Sequence, residues 1–195
     1  MLINSKRTGL HSIQQVDITQ STTLSAKEKE ALAFLIPLSQ DYPGIENWFI
    51  RKVVPGLRDG TRLLLRIERE NVLVGIGIGK YDHTERKICT VRISPQYAGR
   101  GLGLRIFDNL LRWLDTDQPH LTVTDHRLPI FERIFNYYGF NLTSHQKGLY
   151  VPNASELSYN ETASNPDLSD TGENFFYERR KIKTLSHTGL FKRQT

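Results

Sequence analysis

The sequence predicts a mixed α/β domain. Strand and helix signals alternate along the chain, a hairpin stands near the front, and a glycine-rich turn lies where a strand hands over to a long helix. That turn is the most informative stretch. In SPQYAGRGLGLRIFDNLLRWL, residues 94–114, Gly99, Gly101 and Gly103 fall at alternate positions between an apolar run and an amphipathic one.

SIQQVDIT, residues 12–19, reads as a first strand. Ser25 then opens SAKEKEALAFLIPL as an N-cap, and Glu28 three residues on completes a capping box. Ala31, Leu32, Leu35 and Ile36 recur at helical spacing, and Pro37 is expected to kink or end the helix. IENWFIRKVVPGL reads as a second helix, stopped around Pro55–Gly56. TRLLLRIERE and VLVGIGIGKY form a hairpin split near Asn71. In its second strand Gly75, Gly77 and Gly79 share one face, and Val74, Ile76 and Ile78 the other. The bare face admits a close neighbour, and a packed helix is favoured over a ligand.

KICTVRISP is the next strand, with Ile88, Thr90 and Arg92 alternating against Cys89, Val91 and Ile93. Beyond the glycine turn a helix runs to about Asp115, with Leu102, Ile106, Leu110, Trp113 and Leu114 as its apolar stripe. HLTVTDH is a strand. LPIFERIFNYYGF is a short helix, with Pro129 in its first turn and Gly139 at its C-cap. KGLYVP and ELSYNE supply two final strands. From Thr162 the composition turns polar, so the domain is expected to span 1–161, with 162–195 a linker and basic tail.

At 195 residues, 38% apolar and 24% charged, the chain has the make-up of one soluble globular domain with extensions. MLINSKRTGLHSIQQ has no apolar leader core, and no run approaches about 18 apolar residues. Neither secretion nor a membrane span is expected, which implies the cytoplasm. Cys89 is the only cysteine, which excludes an intramolecular disulfide. The six histidines show no metal-ligand spacing, so no metal is expected. The net charge of +5 is local: residues 178–195 carry six Lys/Arg against one Glu. Such a tail suits contact with a polyanion, or is simply a solvated end.

A helix N-terminus offers unpaired amides and a partial positive charge of roughly half a unit. Glycines before it let those amides converge on an anion at close range. Gly99–Arg100–Gly101–Leu102–Gly103 meets these needs. It is not a Walker A loop, which requires Gly-Lys-Ser/Thr, nor the dinucleotide fingerprint, which requires glycine where Leu104 stands.

Residues 91–114, VRISPQYAGRGLGLRIFDNLLRWL, resemble the cofactor-binding motif of the GCN5-related N-acetyltransferases, the GNAT family, written V-x-P-x-Y-R-G-x-G-I-G before a long helix. NYYGF at 136–140 resembles that family's closing signature. The resemblance implies a single domain with a mixed, mostly antiparallel sheet, splayed around the cofactor with helices on both faces. It implies acetyl-CoA as co-substrate, its pantetheine arm against the backbone around Val91 and Ile93 and its pyrophosphate on the Gly99–Gly103 amides. Ala98 departs from the motif, which has Arg or Gln there; backbone groups do the binding, so this weakens the likeness without removing it.

Catalytic positions depart further. Where many members carry a glutamate base, this chain has Cys89, and the register of the usual acidic tyrosine falls on Phe135. Tyr138, one turn later, is the alternative proton donor, or packs under the last hairpin. His126, beside Asp125, is a candidate base, an imidazole being the side chain suited to accept the amine proton. His83 and Glu85 are further candidates on the substrate side. The leading expectation is direct acetyl transfer from acetyl-CoA to a primary amine of a small molecule, a protein or an aminoacyl-tRNA. The alternative is a catalytically degenerate module that binds CoA, a protein or a nucleic acid. Homodimerisation is a further partner expectation.

Overall fold

A computed structural model describes residues 23–161. The expected strand at 12–19 and the basic tail lie outside the described residues.

The capping box at Ser25 forms as expected. Ser25 Oγ accepts from the Glu28 amide (3.3 Å), and Glu28 Oε2 accepts from the Ser25 amide (2.7 Å). They start α1 (Ala26–Leu35), and Pro37 falls in a 3-10 turn, Ile36–Gln40, that ends it. The second helical stretch runs further than its proline suggests. It comprises α2 (Ile45–Trp48), a π-helical segment (Phe49–Val53) and α3 (Val54–Asp59), and stops only at Gly60, φ +82°. The π turn restarts the hydrogen-bond ladder just before Pro55. The proline thus occupies the first turn of α3, where its missing N–H is tolerated.

Six strands follow the order β1 (Arg62–Arg69), β2 (Val72–Tyr81), β3 (Arg86–Ile93), β4 (His120–Thr124), β6 (Ser155–Tyr159), β5 (Leu142–Lys147). All pairings are antiparallel except β3 with β4. Glu70 and Asn71, both at positive φ, close the β1–β2 hairpin. Two register shifts correct the simple alternation. Ile67 pairs with Gly75 and Glu68 with Leu73, so Val74 is an extra residue and joins the same core as the glycine face. On β3, Gly79 pairs with Ile88 and Ile78 with Thr90, which makes Cys89 the bulge. Ile88 therefore shares a face with Val91 and Ile93, while Cys89 turns to the other side.

The last hairpin is also corrected. KGLYVP is mostly connection, and its partner strand is the polar Leu142–Lys147. This edge strand is largely exposed, so it carries no apolar alternation to reveal it.

Helices cover both faces. α1 to α3 pack Ala31, Leu35, Phe49, Val53 and Val54 against Ile76 and Ile78. α4 (Leu102–Leu114) and α5 (Leu128–Tyr138) pack on the other face. α4 lies directly on the glycine face of β2. A Cβ at Gly77 would come 2.5 Å from Ile106 Cγ2, and one at Gly79 3.0 Å from the Trp113 ring. The neighbour that needs the bare backbone is a helix.

A buried charge network closes one end of the sheet. Lys80 and Lys87, cross-strand partners on β2 and β3, are both about nine-tenths or more buried. Glu85 Oε2 lies 3.2 Å from Lys80 Nζ; its Oε1 lies 3.8 Å from Lys87 Nζ and 2.7 Å from His120 Nδ1. Burial alone would raise the Glu85 pKa, but the His120 hydrogen bond and the two lysine charges hold it down at about 2. A carboxyl depressed in the folded state contributes stability above its ordinary pKa of 4.5 and loses it as pH falls toward 2. Urea unfolding across that range should show stability falling with acid, and Glu85→Gln should lower the slope. An unaltered slope in the variant would refute this role.

Candidate functional site

β3 and β4 start together and then part. Their register holds only Lys87 with His120 and Ile88 with Leu121. Beyond Ile88 and Leu121 the two strands diverge and leave a gap in the middle of the sheet. On β3 the Ser94 amide donates to the Val74 carbonyl of β2 at 2.9 Å. Backbone groups alternate sides along a strand, so those of Ile93 and Val91 face away from β2 and into the gap.

At the mouth of the gap the chain turns through a 3-10 segment (Pro95–Tyr97) into α4. Gly99 and Gly101 adopt φ of +73° and +75°, a conformation that other residues resist. A Cβ on either would meet nothing within 4 Å, so the loop's outer side is open. Gly103 serves a different end: a Cβ there would sit 3.0 Å from Ile134 Cδ1, so it lets α4 approach α5. The first helical bond of α4 runs from the Arg105 amide to the Gly101 carbonyl at 3.1 Å. The amides of Leu102, Gly103 and Leu104 precede it, and no side chain caps them. Arg100 extends over the Tyr97 ring, 5.4 Å from its centroid. The result is an open, positively polarised cradle beside a strand edge.

The proposed catalytic side chains stand apart from each other. His126 follows β4 at the open end of the gap, with Nε2 2.9 Å from Asp41 Oδ1; Arg127 Nε binds the other oxygen of the same carboxylate. Asp125 caps the His126 amide at 2.7 Å. Tyr138 lies on the α4–α5 seam, stacked on Phe107 and Phe140, its hydroxyl donating to Asp108 Oδ1 at 2.5 Å. Burial and the Asp108 carboxylate push its pKa up. Phe135 is buried under the last hairpin against Phe140 and Tyr159.

Burial likewise pushes the Cys89 thiol up, against the pull of Arg62, whose Nη1 donates to Sγ at 3.3 Å. A thiol so placed is a weak nucleophile near neutral pH. Glu85 belongs to the charge network at the closed end of the gap, and His83 is exposed in the neighbouring turn. Among the described residues no group of three or more His, Cys, Asp or Glu is arranged to hold a metal, and no helix is long and apolar enough to cross a membrane.

The sequence reading missed two residues that meet beside β4, on its side away from the gap. Glu156 on β6 is buried, and Tyr42 from the α1–α2 connection sets its hydroxyl 3.4 Å from Glu156 Oε1. The only signal was a charge on the inward face of ELSYNE; its partner lies 114 positions away.

The site is a parted α/β sheet with an open, glycine-rich turn and an uncapped helix N-terminus at its mouth. Residues 39–148, more than half of the chain, match the family model of the acetyltransferase (GNAT) domain. The chain belongs to the GNAT N-acetyltransferases, for which acetyl-CoA is the co-substrate. No curated protein sequence matches it. The fold is similar to that of a Desulfovibrio desulfuricans protein assigned to the GNAT acetyltransferases: TM-score 0.57, 10% identity, covering 70% of this chain and 92% of that one. It is also similar to an aminoglycoside 6'-N-acetyltransferase complexed with coenzyme A: TM-score 0.53, 10% identity, covering 72% and 93%.

Proposed function

We propose that the chain moves an acetyl group from acetyl-CoA directly to a primary amine, with both substrates bound together. The observation that carries this reading is the gap between β3 and β4 opening onto the Gly99–Gly103 cradle. The residues fit the co-substrate: Gly99 and Gly101 leave open space where any Cβ would stand. The amides of Leu102 to Leu104 would hold the pyrophosphate, with Arg100 beside it, and the backbone of Val91 and Ile93 would hold the pantetheine arm as an added strand. Acetyl-CoA supplies the acetyl group as an activated thioester.

The chain's own work is then to align the amine and to take its proton. Alignment alone supplies much of the rate, since effective molarities of well-oriented pairs reach about 10⁵ M and more. His126 is the side chain suited to carrying a proton outward. It is half-exposed at the open end of the gap, and Asp41 fixes its ring. Tyr138 gives its hydroxyl to Asp108, which supports the packing role at the α4–α5 seam over that of proton donor. The aminoglycoside enzyme among the structural relatives makes a small-molecule amine one acceptor class to try.

A second reading has its own observation. Cys89 and Phe135 occupy the places of a base and an acid and offer neither, which favours a module that binds CoA without turnover. Thiol release from acetyl-CoA by the full chain, with an aminoglycoside, a lysine-containing peptide and spermidine as probes, separates the two. The enzyme reading expects amine-dependent release that rises with pH as the neutral amine becomes available. Retained CoA binding with no amine-dependent release would establish the binding module instead.

A further inference from the structure

The strands of the two half-sheets pair at one end only. Lys87 with His120 and Ile88 with Leu121 are the two pairs, and they form the pivot about which β3 and β4 part. A side-chain bond crosses that pivot. Lys80, Lys87 and His120 are register partners along β2, β3 and β4, so their side chains share one face of the sheet. Glu85, in the turn before β3, is anchored to the first half: its carboxylate lies 3.2 Å from Lys80 Nζ and 3.8 Å from Lys87 Nζ, and its amide donates to Asp82 Oδ1 at 2.9 Å. From that anchorage Oε1 reaches His120 Nδ1 on β4, in the second half, at 2.7 Å. An ionised carboxylate only accepts, so Nδ1 carries the ring proton and donates.

The line of contacts continues beyond β4. His120 Nε2 is buried without a hydrogen-bond partner and lies 3.8 Å from Glu161 Oε1, just past β6. The Glu161 amide donates to Thr143 Oγ1 of β5 at 3.2 Å. Asn160 Nδ2 donates to the Pro119 carbonyl at 3.0 Å, which fixes the residue before His120. One polar line thus runs from β2 to β5 through the His120 ring. At the other end of the gap Asp41 joins the halves through His126 and Arg127, but those contacts arise from connecting segments rather than from paired strands.

We infer that Glu85 and His120 are positioning residues for the co-substrate: their bond across the pivot fixes the angle at which β3 and β4 part, and with it the width of the gap that receives the pantetheine arm. The inference rests on the proposed placement of that arm along Val91 and Ile93. Neither side chain touches the arm; both act through the strands. From Ile88 to Ile93 is a lever of five residues, about 17 Å at strand spacing. A turn of about 5° at the pivot would move Ile93 by about 1.5 Å, more than a hydrogen bond of ordinary length tolerates. The cradle is insulated from that motion. Its amides, Leu102 to Leu104, follow β3 in the chain and move with it, so they bind a pyrophosphate whatever the width of the gap.

The test is isothermal titration of the full chain with CoA and with ADP, which carries a pyrophosphate but no pantetheine arm. Wild type should bind CoA more tightly than ADP. Glu85→Gln and His120→Ala should each cut that preference about tenfold, the worth of roughly one backbone hydrogen bond to the arm, with ADP affinity unchanged. His120→Asn keeps an amide donor where Nδ1 stands, and should retain most of the preference that His120→Ala loses. An undiminished preference in both Glu85→Gln and His120→Ala overturns the inference. So does an equal loss for CoA and ADP, because a domain that is merely loosened weakens both. If Glu85→Gln does not fold, the two His120 variants carry the comparison, and an equal preference in them overturns the inference. A wild type that binds CoA no more tightly than ADP overturns the placement of the arm and the brace with it, whereas a wild-type preference that the variants keep overturns the brace alone.

Discussion

Gly101→Val is expected to weaken acetyl-CoA binding by about a hundredfold or more while leaving the domain folded. Two effects combine. Residue 101 sits at φ +75°, where a side chain costs roughly 1–2 kcal/mol and a β-branched one is a true outlier. Valine would also project into the open space over the α4 amides, where nothing stands within 4 Å of a Cβ, and would hold an anion off. A hundredfold corresponds to about 2.8 kcal/mol, within reach of losing close contact with the helix terminus. Isothermal titration of acetyl-CoA into both proteins reads the ratio directly. Equal affinity would mean that the cradle does not bind the co-substrate.

The second large effect falls on stability. Gly77→Val should destabilise the domain by about 3 kcal/mol, near the upper end of what overpacking costs. Its Cβ would lie 2.5 Å from Ile106 Cγ2 and 3.1 Å from Leu110 Cδ1, and both contacts belong to the spine of α4, which is itself packed on two sides. At about 2–4 °C per kcal/mol for a chain of this size, the melting temperature should fall by roughly 6–12 °C. Gly75→Ala is the control: its Cβ would meet Ile106 Cδ1 at 3.3 Å, a contact that a small shift relieves. Equal melting temperatures for Gly77→Val and wild type would refute the helix-on-glycine packing.

Local chemistry made much of this fold legible. Ser25 and Glu28 announce α1 because a capping box is satisfied within four residues. Gly75, Gly77 and Gly79 announce close packing, and the apolar stripe of α4 announces what packs there. What escaped depends on pairing between distant segments. The bulge at Cys89 moves Ile88 to the opposite face, and nothing in KICTVRISP marks it. The helix passes Pro55 because a π turn resets its ladder. The polar β5 strand exists through its bonds to β6 rather than through an apolar pattern of its own.

The site divides the same way. The cradle is contiguous in sequence, so its glycines could be read directly, and two of them serve backbone conformation while Gly103 serves packing. The polar cluster of Asp41, Tyr42, Thr124, His126 and Glu156 is assembled from segments far apart in the chain. Only His126 was visible beforehand, and its carboxylate partner was not.

The wild-type melting temperature with acetyl-CoA, with CoA and with ATP tests the central claim most directly. At about 100 times its dissociation constant a ligand adds roughly 2.7 kcal/mol, which is several degrees at about 2–4 °C per kcal/mol. Both CoA species should raise the transition by more than ATP does, and Gly101→Val should lose that rise. No rise in the wild type with either CoA species at millimolar concentration would contradict the account and reduce the Gly99–Gly103 loop to a turn.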